Sequence, residues 1–546
     1  MELSTYFAVW QDGQKPREGI AGDFAGWHVS GIAIAGDFSG IQNFVFRPVP
    51  GVGGAAKRLR SRSFRVSAYT EMVAHWCLNE LRDFGPKILY SAGGRFLIGT
   101  VSFADWREKL RRMQAEVDSW AWKFFEGELV FHLAAADFED GRVPLRQLQA
   151  SLEVERLRPL ASVLQSSSGW ERSLFLRPAA SKEIRCKGCG RNAPEVKTLD
   201  GEEVCEICET DTRLGSKIAS LRFALLLQRN AEADLEALNL GMQLLQHKTE
   251  NAGLWLAVES PSPDTQLWPI LRHLPTDGGR VLDFDEIAER SAGPKKWLGY
   301  LRLDIDHAGR EFERLDGDAL RTWSLSRLLH RFLTTEVGHL IRSRFSNLYA
   351  VYGGGDDLFI IGPWEEVLDF AATLRQHLTE IVDDKLTFSA GMTLAKPSEH
   401  ILTKAQEAGD ELSIAKDEPA YGRDVSRDQV RALGTTSDWA RFSEILATAK
   451  RVKEWFETRQ IPSRFLHHLL ELHQQWADAA RDRSAQDLAA RFRYHSLLHY
   501  QIRRNLPQGP ARDWALSLLK NQSHWPWASF IARYVLLSSQ RAGEGE

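Results

Sequence analysis

The sequence predicts an α+β fold built on two ferredoxin-like units, with a helical, metal-bearing insert between them and a helical tail behind. Three observations carry this reading. Two stretches, one starting near Gly31 and one near Lys296, run strand, helix, hairpin, helix, strand. A four-cysteine pattern lies between them. From about Ser437 onward the apolar residues recur at helical spacing with no strand signal.

The elements follow in order. Residues 1–27 form an N-terminal extension. The first unit, 28–150, opens on the apolar strand Gly31-Ile-Ala-Ile-Ala-Gly-Asp37, which ends in an acid. A helical stretch follows from about Ala55 to Leu81. Next comes a hairpin from Ile88 to Gly99, with Gly93 and Gly94 at its turn and Arg95 just beyond. A helix (Asp105 to Phe125) and a strand (Glu128 to Ala134) complete the unit. In 151–295, the stretch from Leu214 to Gly253 reads as helical and 254–296 as a loop-rich connector. The second unit, 296–430, repeats the order. A strand ends in Leu303-Asp-Ile-Asp306, a helix carries Leu325, Leu328, Leu329, Phe332 and Leu333, and a hairpin has strands near Leu348–Tyr352 and Leu358–Ile361. A helix (Trp364–Val382), a strand (Leu386–Leu394) and a helix (Ile401–Lys416) close it. The tail, 431–546, reads as a bundle in which most of the tryptophans (Trp439, Trp455, Trp476, Trp514, Trp525, Trp527) are expected in the core, a docking surface being the alternative, with residues 541–546 frayed.

Composition bounds the function. The 546 residues carry a net charge of -4, so no global basic field announces nucleic acid. No apolar run is long enough for a bilayer and no leader-like start is present, which predicts a cytoplasmic protein with no membrane contact. Four of the five cysteines form the pattern Cys186-x2-Cys189-x15-Cys205-x2-Cys208. Thiolates so spaced close a tetrahedral Zn2+ site, and four ligands make its role structural. Cys77 reads as a small core residue of a helix.

The most informative stretch is Tyr352-Gly-Gly-Gly-Asp-Asp-Leu-Phe-Ile-Ile-Gly362. Adjacent carboxylates at a hairpin tip repel, so they call for a cation. In a ferredoxin-like unit the first strand lies beside this hairpin, which brings Asp304, Asp306, Asp356 and Asp357 to one sheet edge. Four carboxylates suit two divalent ions, Mg2+ or Mn2+, and such a pair serves phosphoryl and nucleotidyl transfer. The glycines ahead of Asp356 let a triphosphate lie against the backbone, and Lys416 is placed to neutralise it. The run Lys57, Arg58, Arg60, Arg62, Arg65 puts five cations in nine residues at a helix start and is expected to meet phosphate, of RNA or of ATP.

The chain resembles the large signature subunit of type III CRISPR effector complexes, the palm-domain cyclic oligoadenylate synthetase. The resemblance rests on Gly36-Asp-Phe-Ser-Gly-Ile-Gln-Asn-Phe-Val-Phe46, Lys57-Arg-Leu-Arg-Ser-Arg-Ser-Phe64, the four cysteines, Leu303-Asp-Ile-Asp-His-Ala-Gly309, Gly354-Gly-Asp-Asp357, Phe388-Ser-Ala-Gly391 and Ala415-Lys416. It implies that both units are palm domains of the GGDEF/cyclase type, the first degenerate and the second catalytic. It further implies polymerisation of ATP into cyclic oligoadenylate messengers, with pyrophosphate released, once a complex with other subunits and CRISPR RNA has bound target RNA. The implied catalytic residues are Asp304, Asp306, Asp356 and Asp357. The implied metal shell is Asp304, Ile305, Asp356 and Asp357, and the implied nucleotide contacts are Gly354, Gly355, Lys416, Ser39, Gly93 and Gly94. No His-Asp dipeptide occurs and the first unit starts by about residue 28, so no HD-type nuclease domain is expected. Two other functions fit parts of the pattern. A diguanylate cyclase shares the turn, yet Asp357-Leu358 stands where Glu-Phe is usual. A non-catalytic scaffold of the complex would leave the acids without purpose.

Overall fold

The computed structural model describes residues 3–12, 30–47, 54–165, 184–193, 195–199, 202–228, 232–259, 261–481, 485–520 and 524–539. The frayed end expected at 541–546 lies outside them. Helix α1 (Leu3–Asp12) lies against a helix of the second unit, with the rings of Tyr6 and Trp323 5.5 Å apart.

The first unit is β1 (Gly31–Ser39), α2 (Ala55–Glu80), β2 (Lys87–Ala92), β3 (Arg95–Thr100), α3 (Trp106–Phe125), β4 (Val130–Phe138) and the closing helix α4 (Leu145–Arg156). Its sheet is antiparallel in the order β2-β3-β1-β4, the ferredoxin-like arrangement. β1 is central and almost wholly buried because both faces are covered. Ile32 and Ile34 face one core, and Ala33 and Ala35 the other. Cys77 is fully buried in α2.

The insert departs from the expected helical domain. Two short ribbons carry the cysteines, Ile184–Arg185 with Asn192–Ala193 and Lys197–Leu199 with Glu202–Val204. Helix α5 (Glu206–Ile218) follows. The stretch read as helical is then a sheet of β5 (Phe223–Gln228), β6 (Leu235–Ala237), β7 (Leu240–Leu245), β8 (Leu254–Ala257) and β9 (Gln266–Leu267), in the order β6-β7-β5-β8-β9. The reason is length. Phe223-Ala-Leu-Leu-Leu-Gln and Leu240–Leu245 are six-residue apolar runs, too short for a helix, and periodicity alone does not separate a buried strand from a buried helix.

The second unit comprises β10 (Leu298–Ile305), α6 (Ala319–Arg331), a π-turn at Phe332–Glu336, α7 (Val337–Arg344), β11 (Tyr349–Gly354), β12 (Asp357–Pro363), α8 (Trp364–Val382), β13 (Phe388–Ala395) and α9 (Ile401–Asp417). Its sheet repeats the first and then extends beyond residue 430 by β14 (Gln429–Ala432) and β15 (Thr435–Asp438), in the order β11-β12-β10-β13-β14-β15. The last strand, Thr-Thr-Ser-Asp, lacks the apolar alternation that marks a strand in sequence.

Helices α10 (Trp439–Glu457), α11 (Ser463–Arg481), α12 (Ala485–Asn505), α13 (Pro510–Lys520) and α14 (Ala528–Ser538) make up the tail. Trp439, Trp525 and Trp527 are buried in it, and Trp455, Trp476 and Trp514 pack partly buried against the same core. No helix among the described residues is long and apolar enough to cross a membrane.

Candidate active site

The β11–β12 ladder runs to its last rung, with Gly354 opposite Asp357. Gly355 and Asp356 are therefore the two turn residues. Gly354 has φ 146° and Gly355 φ 69°, conformations that favour glycine. A Cβ on Gly354 would also stand 3.1 Å from His330 Nδ1. The turn is tied to the neighbouring strand by the Ile305 N–H, which donates to the Asp356 carbonyl at 2.8 Å. Ile305 is buried, so its carbonyl is the atom it has to offer a cation. Across the sheet, Asp304 sits between Asp357 on β12 and Ser389 on β13.

These positions set the electrostatics. Asp356 is exposed and Asp357 half-buried. Burial, then the neighbouring Asp356 charge, pushes the Asp357 carboxyl up to about 7, while Arg302 and the Tyr352 hydroxyl pull the other way. Burial likewise raises Asp304 against the pull of Lys416, with Asp356 and Asp306 adding to the rise. Lys416, near the end of α9, donates from Nζ to Asp304 Oδ1. Asp304, Asp356 and Asp357 thus act on one another at one sheet edge, with Lys416 on Asp304; among the described residues only the four cysteines converge within 4.8 Å of one another.

Asp306 lies near enough to add to the rise of Asp304, but its own oxygens are engaged by protein donors. Its carboxylate is buried and accepts from Thr387 Oγ1 at 2.9 Å, Ser389 Oγ at 2.8 Å and the Asp428 N–H at 2.9 Å. β10 ends at Ile305, so Asp306 has left the pleat that would have aimed it beside Asp304. Its oxygens fasten the ends of β13 and β14 instead.

The first unit carries the matching positions with other chemistry. Asp37 faces Arg95, and Ser39 Oγ lies 2.9 Å from His132 Nε2. Gly93 (φ 61°) and Gly94 (φ 85°) form the turn. A Cβ on Gly93 would stand 3.4 Å from Gly355 Cα, so the two hairpin turns meet tip to tip. A cavity of about 210 Å³ opens beside them, lined by Gly93, Gly94, Gly354, Asp357, Arg60 and Tyr352 among others. Sequence reasoning missed Tyr352, His330 and Arg302. Arg302 stands two residues before Asp304 and Tyr352 four before Asp356, whereas His330 lies on a separate helix with no local signal.

The basic run is corrected. Arg58, Arg60 and Arg62 are buried. Arg62 and Arg65 pair with Asp211 at 2.7 and 3.1 Å, and Arg60 donates to the Gly215 carbonyl at 2.7 Å. Close packing of α2 on α5 recruits these cations into the protein, and only Arg60 of the three borders the cavity. Cys186, Cys189, Cys205 and Cys208 are all buried, with ligand atoms within 4.8 Å of one another. That set fits a tetrahedral thiolate-bound metal.

Comparison with known proteins agrees with this architecture. The sequence profile of the Cas10/Cmr2 second palm domain matches residues 297–425, and that of Csm1 subunit domain B matches 32–157. The Thermococcus onnurineus Cas10/Csm1 protein, named a CRISPR system single-strand-specific deoxyribonuclease of subtype III-A, is 27% identical over 467 residues, covering 76% of this chain and 58% of its own length. The Mycobacterium tuberculosis protein of the same name is 26% identical, over 70% of this chain and 52% of its own. The chain thus spans little more than half the length of the curated relatives it matches. Among solved structures, a Csm1–Csm4 subcomplex of the type III-A interference complex superposes with TM-score 0.70 at 20% identity, over 93% of this chain and 70% of the other. A Csm1–Csm4 cassette with cA3 gives TM-score 0.70 over 98% and 72%, and one with ATP gives 0.69 over 93% and 70%, at 20% identity each. At this identity the likeness speaks to the fold. The paired ferredoxin-like units, the Gly-Gly-Asp-Asp turn and both profile matches make the chain similar to the Cas10/Csm1 large subunits of type III-A CRISPR systems.

Proposed function

We propose that this chain is a metal-dependent nucleotidyltransferase that converts ATP to cyclic oligoadenylates within an RNA-guided type III complex. The observation that carries the reading is the juxtaposition of Asp304 and Asp357 in register, beside a glycine turn and a cavity shared by the two palms. Asp304, Asp356, Asp357 and the Ile305 carbonyl would hold Mg2+ or Mn2+, which supplies charge to the attacking and leaving oxygens. Gly354 and Gly355 leave the backbone open to a triphosphate, and Lys416 stands within reach of the same acids. Gly93, Gly94 and Ser39 bring the first palm to the other side, where a second nucleotide would lie. The four cysteines hold Zn2+ in a structural role. The partners are a Csm4-like subunit, CRISPR RNA and target RNA, by analogy with the cassettes named above.

The test is mass spectrometry of products formed from ATP with Mn2+ or Mg2+, by the chain alone and in an assembled complex with target RNA. Cyclic adenylates from wild type, absent with Asp356→Asn/Asp357→Asn, support the reading. Zinc-loaded, folded protein that yields none in the activated complex refutes it.

A further inference from the structure

The arginines that open α2 gather around the four-cysteine centre. Arg62 and Arg65 share Asp211, and Arg47 and Arg191 share Glu128, so each pair retains one positive charge beyond its carboxylate. Arg58 is wholly buried among them. It reaches the centre through a gap that glycine provides. The Cβ that Gly188 lacks would stand 3.1 Å from Cys208 Sγ and 3.3 Å from Arg58 Nε. Arg47 is brought beside the centre through Arg191, which shares Glu128 with it and whose carbonyl accepts from the Cys186 N–H at 2.8 Å.

A Zn2+ ion on four thiolates has a net charge of about −2. Buried charge is costly unless it is matched nearby. We propose that Arg58, with Arg47 beside it, is the counter-charge of the four-cysteine centre, so that metal loading and the seating of α2 on α5 are one event. This rests on the zinc reading above. It has a consequence for the cleft, because Arg60, Ser63, Phe64, Ser67 and Thr70 of the same helix line the cavity between the palms. The metal thereby steadies one wall of the nucleotide site from a distance.

The test uses the full chain as wild type, Arg58→Gln, Arg58→Lys and Arg47→Gln. Zinc content is measured by elemental analysis, and affinity by competition with a chromogenic chelator. Arg58→Gln is expected to bind zinc about 10–100-fold more weakly, Arg58→Lys to recover most of that loss, and Arg47→Gln to lose roughly 3–10-fold. Wild-type affinity in Arg58→Gln overturns the proposal. So does equal weakening in Arg58→Gln and Arg58→Lys, which marks packing rather than charge. Should Arg58→Gln fail to fold, Arg47→Gln decides, since its side chain is partly exposed; unchanged affinity there overturns the proposal too. Wild type without zinc refutes the metal reading itself, whereas zinc-loaded wild type with indifferent variants refutes this proposal alone.

Discussion

Asp37 faces Arg95 across the first sheet in the register in which Asp304 faces Asp357 across the second. Arg95 Nε donates to one Asp37 oxygen at 2.7 Å, and Arg156 Nε to the other at 2.9 Å. Arg156 lies at the end of the closing helix α4, as Lys416 lies near the end of α9. The first unit thus keeps the acid and the closing-helix cation but replaces the partner acid with a guanidinium. Protein charge fills the place a metal would take.

Asp37→Asn should therefore cost stability rather than metal. The carboxylate is buried between two arginines, and its loss is expected to destabilise the fold by about 1–3 kcal/mol. Mn2+ binding, followed by electron paramagnetic resonance, should stay within about twofold of wild type. Loss of an Mn2+ equivalent in this variant would show that the first palm holds a metal after all.

Asp306 makes a complementary case. It accepts three hydrogen bonds from the ends of neighbouring strands and has Arg427 at 3.8 Å. Asp306→Asn should lower the unfolding midpoint, by about 1–3 kcal/mol in stability, while Asp304→Asn should abolish metal binding. Chemical denaturation and Mn2+ titration of the two variants separate the roles. Equal loss of metal in both would place Asp306 among the ligands.

Much of this was legible in sequence, for identifiable reasons. Both palms have long helices and strands ending in glycine turns, so period and punctuation agreed, and Trp364–Val382 was read to the residue. The sheet in the insert was not legible, because six-residue apolar runs carry no decisive period. At the site, Asp304, Asp356 and Asp357 followed from spacing alone. The place of Asp306 depended on where β10 stops, and the fate of Arg58, Arg60 and Arg62 on how closely α5 approaches. There, Gly215 lets the helices touch, since its Cβ would fall 2.1 Å from the Lys57 carbonyl. Such tertiary facts leave no local mark.

His330 gives the fold a pH dependence. Its Nε2–H donates to the Pro269 carbonyl at 3.0 Å, and its Nδ1 faces Gly354. Burial, then Arg327, lowers its pKa to about 4, against roughly 6.5 in an unfolded chain. As pH falls, the unfolded state takes up the proton first. This contribution is whole above about pH 6.5 and is lost progressively toward pH 4. Urea unfolding of wild type should lose about 2 kcal/mol from this group between pH 7.5 and 5.0, a loss His330→Gln should not show. The same pH slope in both proteins would contradict the argument.

Lys416 gives the sharpest test of the site. Its ammonium rests on Asp304, the acid that burial has already raised toward its neutral form. In the nucleotide-free protein the lysine is thus a resident cation that an incoming metal must displace. When a triphosphate arrives, the same ammonium has phosphate oxygens to move to. Lys416→Met keeps much of the stem and deletes the charge, so its two consequences run in opposite directions. Metal affinity without nucleotide should rise by about 3–10-fold, since a competitor worth about 1 kcal/mol is gone. Turnover at saturating Mn2+ should fall by at least about tenfold, since the developing phosphate charge loses its partner. Mn2+ titration and initial rates read the two effects separately. Weaker metal binding together with an unchanged rate would mean that the lysine supports the acid and takes no part with the nucleotide.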